Sequence, residues 1–206
     1  RLRSSYGDAV AVKILLQRWH TPFLSERRLL NLPEHRYALT REVLLHANGK
    51  PLILARTIIP VTTIKAAKSN LSQLGNRPLG EIIFSYPKLE RIAMDVTLID
   101  PSTWTQSAIT EAGIDQSIWG RRTVYAIAHK QMLVSEFFLP EVFKAINESS
   151  PDVIHAFNFY PGYVGSIFAM YNKVPFVFTY FNTPHGHNNN IPVSYTHLPL
   201  PTIYPL

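Results

Sequence analysis

Asn48-Gly49, set between two runs of strand-forming residues, constrains this chain more than any other feature. A two-residue hairpin connection of type I′ needs positive φ at both central positions. Asn tolerates that conformation and Gly has no Cβ to clash, so Asn-Gly is a strong short-range hairpin signal. The flanking runs, in YALTREVLLHANGKPLILARTIIP from Tyr37 to Pro60, are rich in the β-branched and apolar residues that suit a half-buried pleated surface. An antiparallel hairpin is therefore predicted, and with it a sheet that needs further strands and helices to cover its apolar face.

The rest of the first 143 residues supplies them. AVAVKILLQ, 9–17, reads as a strand, and LSERRLLNLPEH has helix-compatible spacing. TTIKAAKSNLSQLG predicts a helix opened by Thr62 and closed by Gly75. PLGEIIFS, 78–85, suggests a short helix or turn, Lys88–Ile99 a strand, and 100–118 a turn-rich, partly helical stretch. VYAIAHKQMLVSEFFL, 124–139, reads as two strands joined at His129–Gln131. Hairpins with helices between them predict an α+β fold with an antiparallel sheet.

Past Phe143 the pattern changes. PDVIHAFNF, PGYVGSIFAMYN and VPFVFTYFNTP read as strand, helix and strand, one incomplete βαβ unit of the parallel-sheet type. Three parts are expected: an α+β domain at 1–143, an incomplete α/β fragment at 144–190, and a disordered or artefactual tail at 191–206.

Composition excludes more than it selects. The 206 residues are 46% hydrophobic and 17% charged, which fits one substantial globular domain. With no cysteine, disulfides and thiolate metal sites are excluded. A net charge of +6 accompanies no helix-turn-helix pattern, no RNA-binding aromatic motif and no block of Lys/Arg; it would serve a small anionic substrate equally well, and composition does not choose between them. No apolar run approaches the roughly 18 residues a membrane span needs, and no signal peptide is visible; a cytoplasmic monomer is expected. The chain opens at Arg1 without Met, which suggests a start further upstream.

Two charges stand out by position. Side chains alternate along a strand, so Tyr37, Leu39, Arg41, Val43 and Leu45 share one face, as do Met132, Val134, Glu136 and Phe138. Arg41 and Glu136 are lone charges in apolar rows, and an unpaired buried charge costs several kcal/mol. Either the two pair with each other or reach solvent at a sheet edge, or both face a pocket. In the second case Arg41 would clamp a carboxylate and Glu136 would serve a polar or proton-transfer event. Arg56, between Leu54 and Ile58 on the partner strand, repeats the puzzle.

Four segments in order, TREVLLHANGKPLILARTIIP, QLGNRPLGEIIF, WGRRTVYAI and QMLVSEFFLP, resemble the chorismate pyruvate-lyases of bacterial ubiquinone biosynthesis, over about Val10 to Pro140. The resemblance implies an antiparallel sheet with helices and a ligand enclosed under helical flaps. It also implies conversion of chorismate to 4-hydroxybenzoate and pyruvate by cofactor-free elimination, without metal. It places the hairpin arginine on Arg41, the leucine of PLG on Leu79 and the glutamate before FLP on Glu136. Arg41 and the Leu79 N–H would bind the ring carboxylate, Glu136 would stand at the end where the enolpyruvyl ether leaves, and Arg56 would add positive potential. Arg121 and Arg122 would do likewise or serve as structural, solvated residues. The family's N-terminal helices and flap residue are missing before the first strand, and the stretch between Phe84 and Trp119 is longer than in familiar members. An effector-sensing domain on the same scaffold is the rival reading.

Residues 151–184 resemble part of the N-terminal domain of a GT-B glycosyltransferase, to which no activity is assigned because its sugar-nucleotide site belongs mainly to a second domain. VSYTHLPLPT, 193–202, resembles one reading frame of a sequencing-library adapter, so the two parts read as a join of unrelated gene pieces. His155, His185, His187 and His197 are accordingly not read as ligands.

Overall fold

The computed structural model describes residues 10–67, 71–72, 74–142, 144, 152–157, 169, 173–180 and 193–195. It divides into two units, one ending at Val142 and one beginning at Phe143.

The first unit is a six-stranded antiparallel sheet. Its strands are β1 (Val10–His20), β2 (Ala38–Ala47), β3 (Lys50–Pro60), β4 (Leu89–Ile99), β5 (Ile118–Ile127) and β6 (Lys130–Phe138), in the order β1-β2-β3-β6-β5-β4. Short helices accompany them, among them α1 (Leu24–Leu29), α2 (Val61–Ala66), α3 (Leu79–Ile83) and α4 (Gln106–Ala112). The α+β antiparallel expectation is met. The hairpin turns on Asn48 (φ 52°) and Gly49 (φ 75°), as their chemistry requires. The turn between β5 and β6 uses Ala128 (φ 46°) and His129 (φ 61°), one residue earlier than its sequence suggested.

β3 lies between β2 and β6 and is buried on both faces from Leu52 to Pro60. That explains its run of consecutive apolar residues, where a half-exposed strand would alternate. Leu54, Ile58 and Ile59 are fully buried, each stabilising the fold by about 1.5–3 kcal/mol.

The sheet has a core on each face. On the first face, Leu39, Ile59 and Met132 pack with Leu71, Leu74, Leu79 and Ile83 of the α2–α3 region, while Val43, Ile53 and Ala55 form a second apolar cluster with Val10 and Val12. On the opposite face, Leu44, Leu54 and Phe137 meet α4 and Trp104, and Ile58, Val124 and Leu133 meet Leu30 just after α1.

Two expectations need correction. The helix predicted to run to Gly75 ends at Ala66, and Pro60, not Thr62, stands at its N-cap. Gly75 (φ 52°) instead turns the loop leading into α3. β5 begins at Ile118, six residues earlier than expected, and so carries the whole WGRR string within a strand. Gly120 belongs there for a steric reason: a Cβ would sit 2.4 Å from Phe137 Cδ1, on the ring that packs edge-to-face against Trp104 with centroids 4.7 Å apart.

In the second unit, β7 (Ile154–Phe157) and β8 (Phe176–Tyr180) pair in parallel, the arrangement a βαβ unit requires. The helix expected between them lies almost wholly outside the described residues. Of the expected tail, Val193–Tyr195 forms a short strand, β9, antiparallel to β8, and the remainder lies outside the described residues.

Candidate functional site

Register assigns the charged side chains to faces. Arg41 stands opposite Thr57, which stands opposite Val134 and then Thr123; Val43 stands opposite Ala55, then Glu136, then Arg121. Arg41 and Glu136 therefore share the first face, two strands apart, a lateral spacing of about 10 Å. They lie between that face's two apolar clusters.

Arg41 is 1% exposed. Its Nη2 donates to the backbone carbonyls of Gly75 (2.9 Å) and Arg77 (3.2 Å), in the loop entering α3. Its Nε is buried with no partner among the described residues. Among the described residues no carboxylate pairs with this cation, and burial pushes its pKa below the ordinary arginine value. The same two carbonyls tie Arg41 to the chain just ahead of Leu79, the first residue of α3, whose own side chain is buried in the core beneath.

Glu136 does not pair with Arg41. Its Oε2 accepts from Arg121 Nε at 2.6 Å, a cross-strand contact in which both side chains remain partly exposed, at 25% and 38%. Burial alone would lower the Arg121 pKa, but Glu136 reverses the direction and raises it. Along this face of β6, Val134, Glu136 and Phe138 are all only partly buried, whereas Ser135 and Phe137 on the other face are buried. The polar end of the site is thus less covered than the Arg41 end. Tyr125, on the same face of β5, has its pKa raised by burial first and by the Glu136 charge second. Its ring meets Phe84, the C-cap of α3, edge-to-face at 6.0 Å.

Arg56 is elsewhere, which corrects its expected place beside the other two. It stands opposite Glu42 and Ser135, so it projects from the opposite face. There its Nε and Nη2 meet Glu26 of α1 at 2.7 and 3.1 Å, its Nη1 meets Glu42 at 2.5 Å, and Phe23 lies 4.1 Å beneath it. Burial would lower its pKa, but the two carboxylates together raise it. Its charge is already neutralised, so it does not supply the open positive potential expected. The reading from single strands missed Glu26 and Glu42, and it missed the Arg121–Glu136 contact because β5 was started too late to register the two.

A family model described as chorismate lyase matches residues 1–147. A "Probable chorismate pyruvate-lyase" of Methylococcus capsulatus is 39% identical over 142 residues, covering 69% of this chain and 88% of that one. Its namesake in Thiobacillus denitrificans is 32% identical, covering 68% and 75%, and that of Aromatoleum aromaticum 32%, covering 64% and 74%. Among solved structures, a GntR-family transcriptional regulator from Bacillus cereus is 16% identical with a TM-score of 0.49, covering 65% of this chain and 94% of that one; at that distance the likeness carries no functional argument. The sequence kinship does: the chain belongs to the chorismate lyase family.

Proposed function

We infer that this protein splits chorismate into 4-hydroxybenzoate and pyruvate, with the reaction on the sheet face that carries Arg41 and Glu136. The observation that carries the activity is the kinship just given, 39% identity to a relative named for that reaction, across 88% of its length. Support for the site comes from Arg41, a buried cation with no carboxylate of its own and one unused donor. An arginine desolvated before the ligand arrives loses little more hydration on binding, so it clamps a carboxylate strongly. Leu79 opens α3, and the first amides of a helix have no intrahelical acceptor, so its N–H is suited to share that carboxylate.

The chemistry needs few groups. The ring loses its C4 proton, the C3–O bond breaks, and the ring becomes aromatic. Enolpyruvate leaves and takes up a proton on carbon to become pyruvate. Aromatisation supplies the driving force, so holding the ring by its carboxylate and keeping water away does much of the work. Glu136, at the partly open end of the same face, receives or relays the proton.

The test is to mix the folded chain with chorismate and follow 4-hydroxybenzoate by absorbance and pyruvate by a coupled assay. Equimolar appearance of both is expected. A folded sample that binds 4-hydroxybenzoate but produces neither product would replace the lyase by a binding domain.

A further inference from the structure

We propose that Arg121 is a positioning residue: through its hydrogen bond to Glu136 it sets which carboxylate oxygen faces the ligand. This rests on the lyase reading of the same face.

The geometry carries it. Arg121 and Glu136 are register partners on adjacent strands, and the donated bond is short, 2.6 Å from Nε to Oε2. A charge-assisted contact of this kind is directional, and it occupies one carboxylate oxygen on one side. The other, Oε1, is left for whatever stands over the face. Arg121 is itself steered by the ring of Phe138, two residues beyond Glu136 on the same face, with the guanidinium carbon 6.0 Å from the ring centroid.

A purely stabilising role explains the pair poorly. Both partners stay partly exposed, and ion pairs in that setting add little to stability. The sheet has better-built ion pairs for that purpose, in the buried triad of Arg56 with Glu26 and Glu42. What the Arg121–Glu136 pair does supply is a fixed carboxylate at the open end of the face whose closed end is Arg41. Gly120 stands beside the pair, where a Cβ would lie 2.4 Å from Phe137 Cδ1 and 2.8 Å from the Glu136 carbonyl oxygen, so the close approach of β5 to β6 there needs glycine.

The experiment is a double-mutant cycle of Arg121→Gln and Glu136→Gln, with Arg121→Lys as the conservative variant, each checked for folding by thermal unfolding. Two readouts are taken: kcat and KM on chorismate, and the Kd of 4-hydroxybenzoate. If Arg121 acts through Glu136, Arg121→Gln lowers kcat about tenfold or more with KM little changed. The same substitution then adds almost nothing in the Glu136→Gln background. Arg121→Lys restores part of the loss, and millimolar guanidinium, well below denaturing levels, restores part of it in Arg121→Gln. Additive losses, or a folded Arg121→Gln with wild-type kcat and Kd, would overturn the inference. Should the wild type bind 4-hydroxybenzoate without turning chorismate over, the lyase reading fails and the inference with it, whereas additive losses in an active wild type sink the inference alone. A folded wild type that neither binds nor turns over removes the site and the inference with it.

Discussion

Arg41→Met separates the binding role of this arginine from any structural one, because it keeps an unbranched apolar stem and deletes the charged guanidinium. In the ligand-free protein two effects oppose each other. The substitution removes the guanidinium and with it two charge-assisted bonds to the carbonyls of Gly75 and Arg77, each contributing about 1.5–3 kcal/mol. It also removes a buried charge with no carboxylate partner, whose desolvation costs several kcal/mol. The linkage has a definite sign. A base whose folded pKa is lowered below its unfolded value weakens the fold at every pH below the folded pKa, so the penalty is present throughout the neutral range and is relieved by deleting the charge. Ligand-free stability is therefore expected to stay within about 1–2 kcal/mol of wild type. Affinity for 4-hydroxybenzoate behaves differently: removing the cation from a buried anion site costs about 2–5 kcal/mol, or roughly thirtyfold to several-thousandfold in Kd. Thermal unfolding reads both quantities. At ligand one hundred times the wild-type Kd, binding stabilises the wild type by about 2.7 kcal/mol, a Tm rise of about 5–11 °C for a domain of this size. With Kd weakened about a hundredfold the same ligand concentration adds about 0.4 kcal/mol, a rise of about 1–2 °C. A variant with the full wild-type rise would take Arg41 out of the site. One that unfolds without ligand would make Arg41 a structural residue.

Breaking the triad on the opposite face should have the reverse profile. Glu26→Ala leaves Arg56 with one carboxylate and removes the acceptor for the Phe23 backbone N–H, and about 3–5 kcal/mol of stability should be lost by denaturant unfolding, while the affinity of the folded fraction for 4-hydroxybenzoate stays near wild type. Gly120→Ala forces a contact of 2.4 Å with Phe137; a loss of about 1–3 kcal/mol is expected in the same assay, and no loss would show that the Phe137 ring moves aside freely. Tyr125 should ionise above the ordinary tyrosine range in a spectrophotometric titration, compared with a Tyr125→Phe control. Because its folded pKa is raised, the stability it contributes is present below the unfolded value and is lost as pH rises through the folded one, so Tyr125→Phe should flatten the alkaline decline.

How much of this was legible in the sequence depends on whether the information was local. Asn48-Gly49 placed its hairpin because turn chemistry is a property of two residues and their backbone angles. Arg41 and Glu136 were visible as charges in apolar rows because alternation along a strand is also local. Their partners were not. Whether Arg41 meets Glu136, a carbonyl or nothing depends on the order β2-β3-β6-β5, which no single strand encodes. Arg56 was misplaced for the same reason: an odd–even offset between paired strands decides the face, and that offset is fixed by the register Glu42↔Arg56. The helix before α3 was overextended because its residues are good helix formers, yet it ends at Ala66, and Leu71 and Leu74 join Leu79 and Ile83 in the core from outside any helix.

The two buried arginines of the hairpin make the case for the site by contrast. They are the same residue type, on neighbouring paired strands, each buried beneath one face of the same sheet. Arg56 has two carboxylates and an aromatic ring, with its pKa raised; Arg41 has two carbonyls and an unused Nε, with its pKa lowered. A fold selected for stability alone gains little from the second arrangement, since a hydrophobic side chain of similar volume would avoid a desolvation penalty that two carbonyl contacts offset only in part. An anion supplied from outside does offset it, and the offset is largest where the cation was desolvated in advance. On this asymmetry we propose that the Arg56 face is closed by its own charges and that the Arg41 end of the other face takes the ligand.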